Sequence, residues 1–200
     1  MSVKLDTINA MLIATDEAPV SDENSMHPSA LQASTWFDLN NVRFQQRGWW
    51  FNTEYNLKLS PNESSRIVLP DGTLKLVLIS RPNYYVKRGQ YLYDPVQHSF
   101  EFTDPVYANV VLQIAPDDLP SPAIQFLGAK CVYDYYCHAG SGDSSTLTRC
   151  KEDWLIARAQ LTDAEIQEAR INAFQSPGAF SIISRLPSSG WSHNPINPRG

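Results

Sequence analysis

Between residues 45 and 61 the chain reads QQRGWWFNTEYNLKLSP, and across this stretch the hydrophobic period changes. Upstream, from Ser29 to about Gln46, two apolar ladders run at helical spacing, Ala33–Phe37–Asn40–Phe44 and Trp36–Leu39–Val42. A stripe that wide predicts a helix covered on more than one side. Gly48 supplies a natural helix stop. Beyond it the period falls to two, with Phe51, Thr53, Tyr55, Leu57 and Leu59 on one face and Asn52, Glu54, Asn56 and Lys58 on the other. No single element satisfies both periods. The chain must therefore join helix to sheet through one short connection, and that connection carries Trp49, Trp50 and Phe51 in succession.

The rest of the chain arranges itself around this joint. Leu5, Ile8, Met11 and Leu12 predict an opening helix that ends before Pro19, and Pro28 suits the first turn of the second helix, with Ser25 or His27 near its cap. After the joint, short apolar runs at 67–69, 74–79, 84–86, 91–93, 100–103 and 107–114 predict about five to seven strands. Arg88-Gly89 forms a hairpin bend. No helical pattern separates these runs, so the sheet is expected to be antiparallel. Asp117 and Asp118 precede a third helix, where acids suit the positive helix end, and Ile124, Leu127, Cys131 and Tyr135 mark its inner face. AGSGDSS breaks that helix. A fourth follows from about Thr146 to Phe174 with Leu147, Cys150, Trp154, Ala157 and Leu161 inward. The remaining segment has no period and four prolines, and reads as a tail that is either disordered or ordered by what it lies against. The expected class is α+β: a four-helix bundle with an inserted antiparallel β module and an extended tail. The expected parts are an N-terminal helical part at 1–49, the β insertion at 50–116, a second helical part at 117–176 and the tail at 177–200.

Composition narrows the function classes. Charged residues make up 18% of the chain, below the usual quarter, while aromatics reach 11% and prolines number 14. Such a surface suits a subunit that buries much of itself against partners; a loop-rich monomer is the plainer alternative. A net charge of −5 without a Lys/Arg block argues against a dedicated nucleic-acid binder. No apolar run approaches the ~18 residues of a membrane span. The N-terminal stretch lacks a signal-peptide pattern, so the expected compartment is the cytosol.

Little in the sequence points to catalysis. His138 stands near Ser141, Asp143, Ser144 and Ser145, but the glycines lie between two helices and not at a strand-to-helix elbow. A C-cap glycine and an N-cap serine account for the stretch. The three cysteines, Cys131, Cys137 and Cys150, show no CxxC spacing, and His27 and His98 have no companions at ligand spacing, so neither metal nor cofactor is expected. Glu54, Glu63, Asp71, Asp94, Glu101 and Asp104 fall in the β region. A facing pair of carboxylates there would make a glycosidase or a polysaccharide-binding module the alternative function. Trp49 and Phe51, together with Arg47 and Gly48, are read as the structural joint. Trp50 is read either as core or as reaching a neighbouring subunit.

Four stretches in order resemble the tail tubular protein A family of short-tailed phages. QQRGWWFNTEYNLKLSPN resembles its helix-to-strand joint, INAMLIATDEAPVS its opening helix and Pro-Val-Ser loop, YYVKRGQYLYD its Arg-Gly hairpin, and DDLP its third-helix start. Gln90 departs from the second glycine expected in that hairpin. Together the stretches cover residues 8 to about 135. The resemblance implies a structural virion protein without enzymatic activity: a homo-oligomeric ring, typically of twelve copies, assembled in the host cytoplasm and placed in the virion tail. It implies a portal protein above, a tail nozzle protein below, tail fibres attached at the side, and DNA passing through a lumen that does not grip it. It also suggests interface roles for Trp50, Arg88 and the tail residues Phe180, Ile182, Ile183, Leu186 and Trp191. A small interaction domain unrelated to virions is the third reading.

Overall fold

The computed structural model of the chain describes residues 2–79, 85–140 and 142–175, with side chains described through residue 169. Met1–Glu165 form one compact unit and Ile166–Gly200 a second. Of the second, the described part is the last stretch of the fourth helix.

The first unit is mixed α+β. It opens with α1 (Val3–Ala14) and α2 (Pro28–Gln45), continues through β1 (Thr53–Leu59), β2 (Thr73–Leu78), β3 (Val86–Arg88), β4 (Tyr91–Tyr93) and β5 (Val106–Leu112), and returns to α3 (Ser121–Ala139) and α4 (Ser144–Gln175). Pro28 stands in the first turn of α2 and His27 at its cap, but the His27 side chain makes no capping bond. At α1 the Ser2 hydroxyl accepts from the Leu5 N–H at 3.2 Å, and the Val3 N–H donates to the Asp117 carboxylate at 2.6 Å. The acid expected to serve the third helix thus caps the first, because a 3-10 turn at Pro116–Asp118 carries it there. Asn9 exchanges two hydrogen bonds with the Val20 backbone and pins the Pro-Val-Ser loop to α1.

Helices α1, α2 and α3 pack on one another in all three pairings. Ile8, Met11, Leu12, Ala33, Phe37, Leu127, Cys131 and Tyr135 interlock in their core, all at or near zero exposure. Leu161 brings α4 to the same core. The wide stripe expected on α2 is only half realised: the Phe37–Phe44 ladder is buried, while Leu39 remains 41% exposed.

The sheet runs β1-β5-β2, every pairing antiparallel, with β3 and β4 as a separate hairpin. Leu59, Ile67, Leu69, Leu78, Leu92, Phe102, Ala108 and Val110 form a second core of their own. Two strand expectations change. The runs at 67–69 and 100–103 make only isolated bridges, Val68 to Tyr91 and Arg66 to Glu101 among them, although Ile67, Leu69 and Phe102 are buried. In β1 the strict alternation fails at a bulge between Glu54 and Leu57, where Asn56 takes φ +53° and Tyr55 turns out to solvent. Arg88 pairs with Tyr91, so the hairpin bend is Gly89-Gln90 and not Arg88-Gly89. Positive φ falls on Gly89 and not on Gln90. That is the pattern of a II′ turn, which needs glycine only at its first central position.

Candidate functional site

The joint is where α2 hands over to the sheet, and its geometry rests on three residues. Gly48 adopts φ +81°, and a Cβ there would stand 2.9 Å from Val111 Cγ2 on β5. Both the left-handed backbone and the close approach require glycine. Trp49 to Asn52 then form a turn, with the Asn52 N–H donating to the Trp49 carbonyl. The strand therefore begins at Thr53, and Trp50 and Phe51 belong to the turn and not to an alternating strand.

Two buried amides hold this turn. Asn52 accepts from the Trp49 N–H at 2.8 Å and donates to the carbonyls of Gln45 at 3.0 Å and Leu112 at 2.9 Å. Gln45, at 0% exposure, accepts from the Ile114 N–H at 2.7 Å and donates to the Ile114 carbonyl at 2.9 Å and to Asn41. The end of α2 is thus bonded through side chains to the chain leaving β5. The Trp49 N–H and the carbonyls of Gln45, Leu112 and Ile114 thereby find partners, as burial demands.

The aromatics close over this frame. Trp49 is 3% exposed, and its indole N–H donates to the Phe44 carbonyl at 2.9 Å. Its ring lies parallel to that of Phe51, and Phe44 packs between Trp49 and Phe126 of α3. Arg47 covers the outer face of Trp49 at 4.2 Å and reaches Glu165 of α4 at 3.6 Å, a surface pair worth no more than about 1 kcal/mol. Trp50 is half-buried, edge-on to both Trp49 and Phe51, and packs on the helical core. Arg47, Gly48, Trp49, Trp50 and Phe51 are therefore brought together. Arg88 sits apart on β3, the exposed strand of the hairpin, its guanidinium 3.6 Å over the Tyr93 ring. Phe180, Ile182, Ile183, Leu186 and Trp191 lie outside the described residues.

Sequence reasoning missed Gln45 and Asn52. The signal was present for Gln45, which lies four residues from Asn41 on the helix face that buries Asn40, Asn41 and Phe44. For Asn52 there was none, since both carbonyls it binds belong to non-neighbouring residues.

His138 and the link between α3 and α4, where chemistry was sought, carry structural assignments. His138 packs on Trp36, with ring centres 5.2 Å apart. Asp143 caps α4, accepting from the Thr146 N–H at 2.8 Å and from the Ser145 hydroxyl at 2.7 Å, so the cap is an aspartate and not a serine. These bonds, the Ser145 hydroxyl first, hold its carboxyl well below the usual carboxylate range. Gly140 ends α3 with φ −70°, and is needed for space, because a Cβ would meet the Tyr136 carbonyl at 2.5 Å. Ser141 lies outside the described residues. In the β module a groove of about 350 Å³ is lined by Asp94, Glu101, Asp104, Tyr85 and Phe102. Asp94 is taken up by its own loop, accepting from the Val96 and Gln97 N–H groups at 2.8 and 3.0 Å. Among the described residues no three His, Cys, Asp or Glu side chains group together to hold a metal ion, and no helix is long and apolar enough to cross a membrane.

Comparison with known proteins bears on what such a joint serves. The chain is 28% identical over 149 residues to tail tubular protein A of Klebsiella phage KP34, an alignment covering 74% of this chain and 80% of that protein. A family model described as tail tubular protein matches residues 5–171, which spans α1, the joint, the β module, α3 and nearly all of α4. The chain belongs to the tail tubular protein family, and is a structural component of a phage tail.

Proposed function

We propose that this chain is the ring-forming adaptor between the portal and the tail nozzle, giving fibres an attachment surface while DNA passes through the ring. The single observation that carries the reading is the joint. The end of α2 is tied to the sheet by buried amides and by Gly48 packed on β5, while Trp49 and Phe51 seat the same turn on the helical core, so that a load on one module is passed to the other without a hinge. A connector held between two partners needs that property, and an enzyme or a free-standing binding module does not.

In this reading the helical parts, 1–49 and 117–176, face the portal. The β insertion, 50–116, faces nozzle and fibres, and 177–200 engages the portal or the neighbouring subunit through Phe180, Ile182, Ile183, Leu186 and Trp191. Trp50 and Arg88 contribute to contacts between subunits. The acidic balance, −5 overall, suits a lumen that lets the genome slide, since nothing there need neutralise phosphates. Light scattering on the purified protein, alone and mixed with its portal, tests this. A ring, alone or formed on the portal, is the expected result; a monomer that never binds the portal overturns it.

A further inference from the structure

The three-stranded sheet has two faces, and its register sorts the side chains between them. Leu59 opposite Val106 and Leu78 opposite Ala108 turn to the β core. Successive residues alternate, so Lys58 opposite Tyr107 and Val77 opposite Asn109 turn the other way. Ile79 joins this outer face, and its N–H donates to the Tyr107 carbonyl. At one end of the face Val111 is nearly buried, with Gly48 of the joint against it. Toward the other end Val77, Ile79 and Tyr107 stand exposed as neighbours on β2 and β5. Lys58 and Lys75 flank them from β1 and β2, both exposed, and no paired position of the face carries an acid.

The inner side of the same module carries the complementary chemistry. The groove of about 350 Å³ is lined by Leu78 and Val106, side chains of the inner face, so it lies across the sheet from Val77, Ile79 and Tyr107. Its lining adds Tyr85, Phe102 and the acids Glu101 and Asp104, while Asp94 is bonded by its own loop. Among the described residues none of Lys58, Lys75, Glu101 and Asp104 is ion-paired, so each charge is free to meet a neighbour.

We infer that these two surfaces meet between copies: the outer sheet face of one subunit packs on the acidic groove of the next. A contact that repeats head to tail needs two different surfaces that complement each other. It closes into a many-membered ring when those surfaces lie on nearly opposite sides of the subunit, and here the sheet itself separates them. The outer face offers an apolar centre flanked by cations, and the groove offers apolar and aromatic side chains flanked by anions. Packing them together takes Val77, Ile79 and Tyr107 out of water and sets unlike charges against one another. Face against face would oppose lysine to lysine, and groove against groove acid to acid, so the charges also select the head-to-tail order. This rests on the ring proposed above and names the surfaces that close it.

Two full-length variants test the contact. Lys58→Glu with Lys75→Glu makes both surfaces acidic, and Glu101→Lys with Asp104→Lys makes both basic. All four positions are exposed, and unchanged circular dichroism verifies folding. Assembly is followed by light scattering against concentration, alone and on the portal. Like charges at every contact should raise the concentration of half-maximal assembly by about tenfold or more for each variant alone. An equimolar mixture of the two should return to the wild-type value, because every contact in an alternating ring then pairs unlike charges. On wild-type assemblies, a zero-length carbodiimide should join Lys58 or Lys75 to Glu101 or Asp104. Mixing isotope-labelled with unlabelled protein shows that the joined peptides come from different copies. Either variant assembling like wild type, a mixture that stays unassembled, or links found only within one copy would overturn the contact. A wild-type ring without these links would do the same and leave the adaptor reading standing. Wild-type protein that never assembles, with or without the portal, would overturn both.

Discussion

Gly48 and Gly89 both adopt positive φ, at +81° and +61°, yet they do different things. At Gly89 a Cβ would meet nothing within 4 Å, so only the backbone matters there. At Gly48 the same Cβ would also press on Val111. Gly89→Ala should therefore cost about 1 kcal/mol, the left-handed penalty alone. Gly48→Ala should cost about 2–4 kcal/mol, because overpacking adds to that penalty. Urea denaturation of the two variants measures the gap, and equal losses would mean that β5 yields freely. Asn52 makes the companion case. Its side chain satisfies the Trp49 N–H and two carbonyls, with only 3% of the residue exposed. Asn52→Ala strands all of them and should destabilise by about 2–4 kcal/mol. A loss below half a kilocalorie in the same assay would show that water replaces the amide.

At the scale of elements, α4 depends on its first turn. The Asp143 carboxyl is held low by the Ser145 hydroxyl and by the Thr146 and Ser145 N–H groups. A depressed folded pKa contributes stability that is complete above the unfolded carboxylate pKa, about 4, and is lost as pH falls below it. Amide exchange at Ser145 and Thr146 should therefore accelerate as pH is lowered from 5 toward 2, after correction for the intrinsic rate. Asp143→Asn keeps a capping oxygen without the charge, and should flatten that dependence. An unchanged profile in the variant would assign the effect to other carboxyls.

The same scale shows which parts of the fold were legible. All four helices declared themselves, because a 3.6-residue period sustained over three turns or more outweighs local irregularity. The hairpin was legible from its glycine. The bulge in β1 was not: one extra residue at Asn56 shifts the pairing while the sequence keeps alternating past it. The partner of Asp117 was not legible either, since the backbone it caps lies 114 residues away. In the joint the aromatics and Gly48 could be read, because their types alone suggest a stop and a plug. The buried face that carries Gln45 could be read but not its partner Ile114, 69 residues on, and Asn52 could not be assigned a role, because a buried amide is defined by what surrounds it.

At the scale of the molecule, the two cores are distinct clusters, and few connections fasten one to the other. Asn52 bonds Leu112, which packs on the β core, through its side chain and its own carbonyl, and Gln45 bonds Ile114, two residues on, which packs on the helical core together with Trp49 and Phe51. If the amides set the coupling, the intact protein unfolds in one transition, with indole fluorescence and far-UV circular dichroism changing together. Removing both amides in a Gln45→Ala, Asn52→Ala variant leaves each core its own apolar burial and removes the side-chain bonds across the joint, keeping the backbone bond from the Leu112 N–H to the Asn52 carbonyl. The transition should then separate, with the β module melting first because its sheet has three short strands and a two-stranded hairpin. Fluorescence and dichroism midpoints would no longer coincide. The same variant, offered to the portal, relates rigidity to function. A helical core that still folds should still bind, but the bound β modules should become accessible to limited proteolysis. Coincident midpoints in the variant would transfer the coupling to the aromatics, and Trp49→Leu would become the substitution that separates the cores.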